Sequence, residues 1–150
     1  MNDESIYILL ADDDSDDCLL FEEALRELPL STHLSVVNDG EQLMQLLKKK
    51  ATVLPFVLFL DLNMPRKNGI ECLFEIKKDK RLKHLPVVTY STSAALDLVN
   101  LLFKNGARYY IRKPVEFTQL KKVIHHALLL ITQEGTPQSV KENFVITGDL

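Results

Sequence analysis

The sequence predicts an α/β fold in which helices cover both faces of a parallel, doubly wound sheet. Short runs rich in Ile, Val and Leu alternate with longer stretches of helical periodicity, which is typical of repeated βα units. Five such units can be counted along the 150 residues, a length that fits a single domain. Strands of such a sheet are buried on both faces, so we expect them to be apolar throughout.

Five apolar runs are the predicted strands. The run 56–60 is the most uniformly apolar, which favours a place in the middle of the sheet, and Asp61 follows it directly. The other predicted strands are residues 6–11, 34–37, 86–91 and 109–112.

The stretches between the strands have the periodicity of amphipathic helices. In the first of them, Leu20, Ala24 and Leu28 recur at a spacing of four, and Pro29 ends the helix. Gly106 is placed to cap the fourth helix, because glycine readily adopts the left-handed conformation found at helix ends. The predicted helices are residues 15–28, a stretch from Leu43 to the lysines at 48–50, a stretch over 70–76, and residues 94–105 and 117–131.

The composition becomes polar from Gln133 onward. We expect residues 1–132 to form the domain and residues 133–150 to form a C-terminal tail. Within that tail the apolar segment 144–146 is a candidate for docking back on the body.

Charge and hydropathy exclude several classes of partner. A formal net charge of -3 without a concentrated basic stripe argues against a nucleic-acid surface. No apolar run approaches the roughly 18 residues that a membrane span needs, and the first residues lack the basic region of a secretory signal. We therefore expect a cytoplasmic protein with no direct nucleic-acid or membrane partner.

Polar residues follow the predicted strands at their carboxyl ends. Asp12 and Asp13 follow the first strand, Asp61 the third, Ser91 closes the fourth and Lys113 follows the fifth. Ligands of open parallel α/β sheets bind outside the carboxyl ends of the strands, so these residues are the candidate site.

Three carboxylates that meet at adjacent strand ends would repel one another and raise one another's pKa. A divalent cation relieves that repulsion, and Mg2+ prefers oxygen ligands from one or two carboxylates together with water and phosphate oxygens. We therefore expect Asp12, Asp13 and Asp61 to hold Mg2+ and Asp61 to act as nucleophile toward a phosphoryl group. Lys113 and the Ser91 hydroxyl would then contact the phosphoryl oxygens.

Each of these residues also has an ordinary structural interpretation. The acidic run 14–17 is interpreted as helix capping, because carboxylates favour helix N-termini. A lone Asp61, or a lone Lys113 before Pro114, would often be a turn residue. The occurrence of all of them in the correct order along the chain favours the functional interpretation.

The sequence resembles the receiver domain of two-component response regulators over about residues 6–131. The segments that carry this resemblance are ILLADDDSDD, NDGEQLMQLL, LFLDLNMPRKNG, PVVTYSTSA and GARYYIRKPV. The resemblance implies a flavodoxin-like (βα)5 fold with five parallel strands in the order 2-1-3-4-5. It also implies a cis peptide bond between Lys113 and Pro114.

Family roles can be assigned to matching positions. The resemblance implies that Asp13, Asp61 and the backbone carbonyl of Asn63 hold Mg2+ directly, and that Asp12 acts largely through metal-bound water. It implies further roles at three positions: Ser91 as the switch hydroxyl, Tyr110 as the aromatic switch residue, and Lys113 as the phosphoryl partner.

The stretch EIKKDKRLKHLPVVTYSTSA further resembles stand-alone receivers associated with phytochrome-type sensor kinases. Thr92 departs from the pattern, because many receivers have Ala or Gly directly after the switch residue. We expect this larger side chain to narrow the entrance to Asp61, which leaves the phosphoryl lifetime open.

The fourth predicted helix carries apolar residues around more of its surface than one buried stripe requires. Exposed apolar patches often mark interaction surfaces, and the resemblance implies a signalling face on the fourth helix, fifth strand and fifth helix. We expect a homodimer there, with coverage of the patch by the tail as the alternative. We expect no effector domain after Ile131, so the expected partners are a histidine kinase or phosphotransfer protein upstream and another protein downstream.

Three other functions fit the sequence less well. A small Mg2+-dependent phosphohydrolase with an Asp nucleophile would need a second Asp two residues later, where this chain has Asn63. An FMN-binding protein of the same fold would need a phosphate loop rich in Ser, Thr and Gly after the first strand, where this chain has Asp residues. A degenerate receiver would lack part of the site, which is complete here.

Overall fold

The structure is a computed structural model that describes residues 5–50, 53–93, 95–133 and 143–148. Its centre is one sheet of six strands in the order β2-β1-β3-β4-β5-β6, and each neighbouring pair is parallel. The strands are β1 (Ile6–Ala11), β2 (Thr32–Val37), β3 (Val57–Asp61), β4 (Val87–Ser91), β5 (Tyr109–Arg112) and β6 (Val145–Ile146).

Five helices connect the strands and cover the two faces of the sheet. Buried residues of α1 and α5 form one apolar cluster with the sheet, and those of α2, α3 and α4 form another on the opposite face. Every residue of β3 and β4 is buried, as expected for central strands. The helices are α1 (Ser15–Arg26), α2 (Gly40–Lys48), α3 (Gly69–Lys78), α4 (Leu96–Lys104) and α5 (Phe117–Gln133).

Side chains of the connecting loops determine where the helices begin and end. Asp14 caps α1 by accepting the backbone N–H groups of Asp16 and Asp17. Asn68 and Glu71 form a capping box at the start of α3, each accepting the other's backbone N–H. Gly106, just after α4, has a φ of +91°, so the predicted glycine cap is confirmed.

The predicted α/β class and the order of the first five strands are confirmed, but the predicted number of strands is wrong. The sixth strand, β6, is only two residues long and pairs with the outer edge of β5. That edge would otherwise present unpaired backbone groups, which a short extended segment can satisfy. The division of the chain at residues 132 and 133 stays a prediction.

The expectation of a cis bond between Lys113 and Pro114 is also wrong, because no peptide bond among the described residues is cis. Trans is the more stable isomer even before proline, by about 0.5–1 kcal/mol. The predicted element ends differ from the observed ones by a few residues; α1, for example, ends at Arg26 rather than at 28. In the described parts of the chain, no helix is both long and apolar enough to cross a membrane.

Candidate functional site

Two neighbouring strand ends bring the acidic residues together. Asp12 directly follows β1 and Asp61 is the last residue of β3, and these strands are parallel neighbours. One carboxylate oxygen from each of Asp12, Asp13 and Asp61 lies within 4.8 Å of the other two. Asp12 and Asp61 are buried and Asp13 is exposed, so the cluster lies at the carboxyl edge of the sheet and opens to solvent at Asp13.

Burial raises the pKa of both inner carboxyls. The pKa of Asp61 rises to about 7 chiefly because the side chain is withdrawn from water; the charge of Lys113 opposes the rise and that of Asp12 adds to it. Burial likewise raises the pKa of Asp12, although the Asp14 backbone N–H donates to its Oδ1 at 3.0 Å and opposes the shift. The cluster is thus a poor place for negative charge until a cation balances it.

Lys113 reaches this cluster from the loop after β5. Its backbone N–H donates to the Ser91 carbonyl at 2.8 Å, which fixes the start of the side chain beside β4. The ammonium lies 3.4 Å from Asp12 Oδ2 and 3.7 Å from Asp61 Oδ2, and 4.5 Å from the centre of the Tyr90 ring. The structure therefore places the predicted lysine against both buried carboxylates.

A hard divalent cation fits the donor set of this cluster. Three carboxylates, two of them buried, provide oxygen ligands, which are the ligands that Mg2+ and Mn2+ prefer. The backbone N–H of Asn63 donates to Asp61 Oδ1 at 3.3 Å, so the loop after β3 folds back over the same carboxylate. Asp12, Asp13 and Asp61 are the residues that could hold the ion.

The predicted switch residues lie on the side of β4 and β5. Ser91 is buried, and its Oγ accepts the backbone N–H of Ser93 at 3.1 Å. The Tyr110 side chain is buried, and its hydroxyl donates to the Ser93 carbonyl. Ser91 and Tyr110 are thus joined through Ser93 in a single chain of hydrogen bonds.

Two depressions flank the acidic cluster. One is lined by Asn63, Met64, Ser91 and Leu98, between the loop after β3 and the start of α4. The other includes Thr92, Lys113 and Phe117. Thr92 is exposed and lines this second depression, and the expected narrowing of the entrance to Asp61 stays a prediction.

Asp17 contributes to the site in a way that the sequence did not predict. Its Oδ2 accepts a hydrogen bond from the Lys113 ammonium at 2.9 Å, the shortest of the three distances from that ammonium to a carboxylate. Burial lowers the pKa of Lys113, but this bond and the charges of Asp12 and Asp61 outweigh burial, so its pKa lies above the ordinary value. The acidic start of α1 gave no separate signal for this role, because capping explains the same pattern.

The fold and the acidic edge with its lysine define a class of protein, the phosphoryl-signalling domains built on a doubly wound sheet. The chain belongs to the response regulator receiver domain family, whose pattern it matches over residues 8–125. It is accordingly a signalling domain of the two-component type, and its acidic cluster could hold a divalent metal ion.

Known relatives align with most of the chain. Response regulator Rcp1 of Synechocystis sp. is 33% identical over 131 residues, which span 83% of this chain and 89% of that protein. The structure of the phosphorylated cyanobacterial phytochrome response regulator RcpA aligns with a TM-score of 0.80 at 31% identity, covering 90% of this chain and 99% of that one.

The Mn2+-bound form of Rcp1 aligns with a TM-score of 0.78 at 29% identity, covering 89% of this chain and 99% of that one. The resemblance to stand-alone phytochrome response regulators is thus confirmed by both sequence and structure.

Proposed function

We propose that this chain accepts a phosphoryl group on Asp61 from a phosphohistidine of a sensor kinase or phosphotransfer protein. The observation that supports this most strongly is the contact set of Asp61. Its buried carboxylate shares a cluster with Asp12 and Asp13 and lies 3.7 Å from the Lys113 ammonium. An incoming phosphoryl group would therefore meet both the Asp61 carboxylate as nucleophile and the positively charged Lys113 ammonium.

The proposed step forms one bond and breaks one. An Asp61 carboxylate oxygen attacks phosphorus, and the new P–O bond forms as the P–N bond to the donor imidazole breaks. The imidazole leaves with the bonding electron pair and takes its proton from solvent. The product is an aspartyl phosphate, a mixed anhydride that can pass on or lose its phosphoryl group.

A bound divalent cation, which we propose to be Mg2+, would neutralise the negative charge on the phosphoryl oxygens. Asp12, Asp13 and Asp61, with the Asn63 carbonyl, would hold it, and Asp12 would act largely through water. Lys113 has its ammonium against Asp61 and would pair with one phosphoryl oxygen. Ser91 would turn its hydroxyl to donate to another.

The chain would act as a relay rather than as an enzyme with a separate substrate. Its catalysis would be limited to gain and loss of its own phosphoryl group, and its output would be a change of contacts with a downstream protein. Tyr110, which is bonded to the loop after Ser91, would carry that change toward the surface. The cytoplasmic location expected from the sequence is part of this proposal, and cell fractionation tests it.

The phosphohydrolase alternative lacks support at the position where it needs an acid. Two residues after Asp61 stands Asn63, whose backbone N–H binds the Asp61 carboxylate. An amide side chain cannot exchange a proton with a leaving group as a carboxyl can. Steady turnover of an added phosphomonoester would favour the hydrolase.

Intact-mass measurement after incubation with Mg2+ and acetyl phosphate tests the proposal. We expect the wild type to gain the mass of one phosphoryl group and Asp61→Asn to gain none. Asp97→Asn, an exposed change at the start of α4, is the matched control and should be phosphorylated like the wild type. Equal uptake by Asp61→Asn would contradict the assignment of the nucleophile.

We also propose a homodimer through α4, β5 and α5. The outer edge of β5 is paired with β6, but Leu96 and Leu101 of α4 are 68% and 38% exposed, which leaves apolar surface for a partner beside that edge. Sedimentation with and without beryllofluoride, a phosphoryl mimic, should show a dimer that Leu96→Glu weakens. A monomer under both conditions would contradict this proposal.

A further inference from the structure

The C-terminal segment 143–148 extends the sheet at the outer edge of β5. Tyr110 lies opposite Val145 and Ile111 opposite Ile146, and the Tyr110 backbone N–H donates to the Phe144 carbonyl at 3.0 Å. Edge strands with free backbone groups are ready to pair with any extended peptide. In this chain the peptide that occupies the edge is its own.

The two buried side chains of this segment, Phe144 just before β6 and Ile146 within it, lie on opposite faces of the sheet. Phe144 is fully buried on the side of α4, where its ring meets that of Phe103 edge-on at 5.3 Å between centroids. Ile146 is buried in the apolar cluster on the opposite face, whereas Val145 is 39% exposed. The surface thus accepts an extended segment with apolar residues two positions apart.

The free energy of docking so short a segment is the small difference between a favourable and an unfavourable contribution. Burial of Phe144 and Ile146 favours the docked state, but ordering the backbone of the segment opposes it through lost conformational entropy. Only two of its residues pair as a strand. A small change in the surface beneath can therefore shift the equilibrium.

Hydrogen bonds connect Ser91, beside the acidic cluster, with this segment by way of Ser93 and Tyr110. Ser91 Oγ accepts the Ser93 N–H, the Ser93 carbonyl accepts the Tyr110 hydroxyl, and the Tyr110 N–H donates to Phe144. Ser91 is also tied to Lys113, whose backbone N–H donates to its carbonyl. A change at Ser91 thus has a physical route to the docked segment.

We infer that residues 143–148 are a displaceable cover over an interaction surface at the β5 edge, and that filling the acidic pocket releases them. The inference rests on the proposed function, because it needs an anion at Asp61. When the Ser91 side chain rotates to donate its hydroxyl to that anion, its Oγ moves away from the Ser93 N–H that it now accepts, and the Ser93–Tyr110 contact rearranges. The freed edge of β5 then accepts an extended segment of a downstream protein, with apolar side chains at alternate positions.

Residue-resolved hydrogen exchange of the full chain in Mg2+, with and without beryllofluoride, tests this coupling. The Tyr110 amide, which is bonded to Phe144, should exchange at least about fivefold faster when beryllofluoride is bound. The Arg108 amide, which donates to the Val87 carbonyl between β4 and β5, is the internal reference and should not change. An unchanged Tyr110 exchange rate in the beryllofluoride complex would overturn the inference.

Fluorine NMR of the same samples separates the two ways of failing. If beryllofluoride does not bind the wild type, the proposed function fails and this inference fails with it. If it binds and Tyr110 exchange stays constant, only the inference fails.

Variants test the same coupling in the reverse direction, because linkage is reciprocal. Phe144→Ala should weaken docking and so raise the affinity for beryllofluoride about fivefold or more, whereas Val145→Ala, an exposed neighbour, should leave it unchanged. Tyr110→Phe removes only the hydroxyl that binds Ser93, so amide exchange at position 110 should no longer respond to beryllofluoride. Equal affinities for Phe144→Ala and Val145→Ala, or a normal response in Tyr110→Phe, would count against the coupling.

Discussion

At the scale of single residues, the site brings together buried groups whose charges are unfavourable unless opposite charges lie beside them. Asp12 and Asp61 are buried carboxyls whose pKa values burial raises, and Lys113 only partly balances them. Two buried negative charges with only one nearby lysine lower the free energy of unfolding unless a cation binds and neutralises them. The cost itself can be measured in the metal-free protein.

The first prediction concerns the pH dependence of stability without metal. The folded-state pKa of Asp61, about 7, lies above its ordinary value, so between about pH 4 and pH 7 the folded state binds more protons than the unfolded state. The free energy of unfolding should therefore fall as pH rises through this range and level off above it. Urea unfolding of Asp61→Asn in EDTA should show a shallower fall, and parallel curves for the two proteins would contradict the raised pKa.

The second prediction concerns Asp17, whose carboxylate makes the shortest contact with Lys113. Asp17→Asn should lower the pKa of Lys113, because it removes both a charge and a charge-assisted hydrogen bond. Asp16→Asn removes the same charge from the same helical turn, but at an exposed position. NMR titration of the lysine side chain should show a larger fall for Asp17→Asn, and equal shifts would contradict the specific pairing.

These residues also show how far sequence reasoning extends. Asp12, Asp61 and Lys113 could be predicted to meet because each follows a buried parallel strand, and strand ends share one edge. Asp17 could not be predicted, because an acidic residue in the first turn of a helix is already explained by the helix dipole. Its role depends on the direction of the Lys113 side chain, which only the folded chain determines.

At the scale of elements, the loop after β3 is held by close packing of α3 against the strand end. A Cβ on Gly69 would lie 2.7 Å from the Leu62 Cα and closer still to the Asp61 carbonyl oxygen. Only glycine lets the helix begin this near to the predicted nucleophile. The start of α3 and the position of Asp61 are therefore linked.

The third prediction follows from this packing. Gly69→Ala should lower the free energy of unfolding by about 1–3 kcal/mol, because backbone atoms at the end of β3 must move. It should also reduce phosphoryl uptake by displacing the loop that carries Asp61. Lys78→Ala, at an exposed position at the end of the same helix, is the control for urea unfolding. A stability equal to that of the wild type would show that the loop accommodates the methyl group.

The elements differ in how well the sequence predicted them. The central strands stood out because burial on both faces makes them continuously apolar. The strand β6 did not, because two residues carry no periodic pattern, and the apolar triplet that contains them does not specify a partner edge. The bond before Pro114 is trans, whereas the cis bond was expected from the family resemblance alone.

At the scale of the whole molecule, the sheet order determines which strand ends are adjacent. With β1 beside β3 and β4 beside β5, the acidic residues lie at the centre and Lys113 closes the site from one side. The repeat of βα units predicted the class of fold, but the order came from family resemblance, since periodicity does not specify which strands pair. The order also leaves β5 at one edge of the first five strands, with β2 at the other, and segment 143–148 docks at the β5 edge.

The central claim is that a divalent cation turns a mutually repelling acidic cluster into a site for an anion. Fluorine NMR titration of beryllofluoride, in Mg2+ and after exhaustive EDTA treatment, tests it most directly. Two opposite unit charges about 4 Å apart attract each other by about 4 kcal/mol at an effective dielectric constant of about 20. Beryllofluoride should therefore bind at least about a hundredfold more weakly when the cation is absent. Equal affinity with and without a divalent cation would contradict the account.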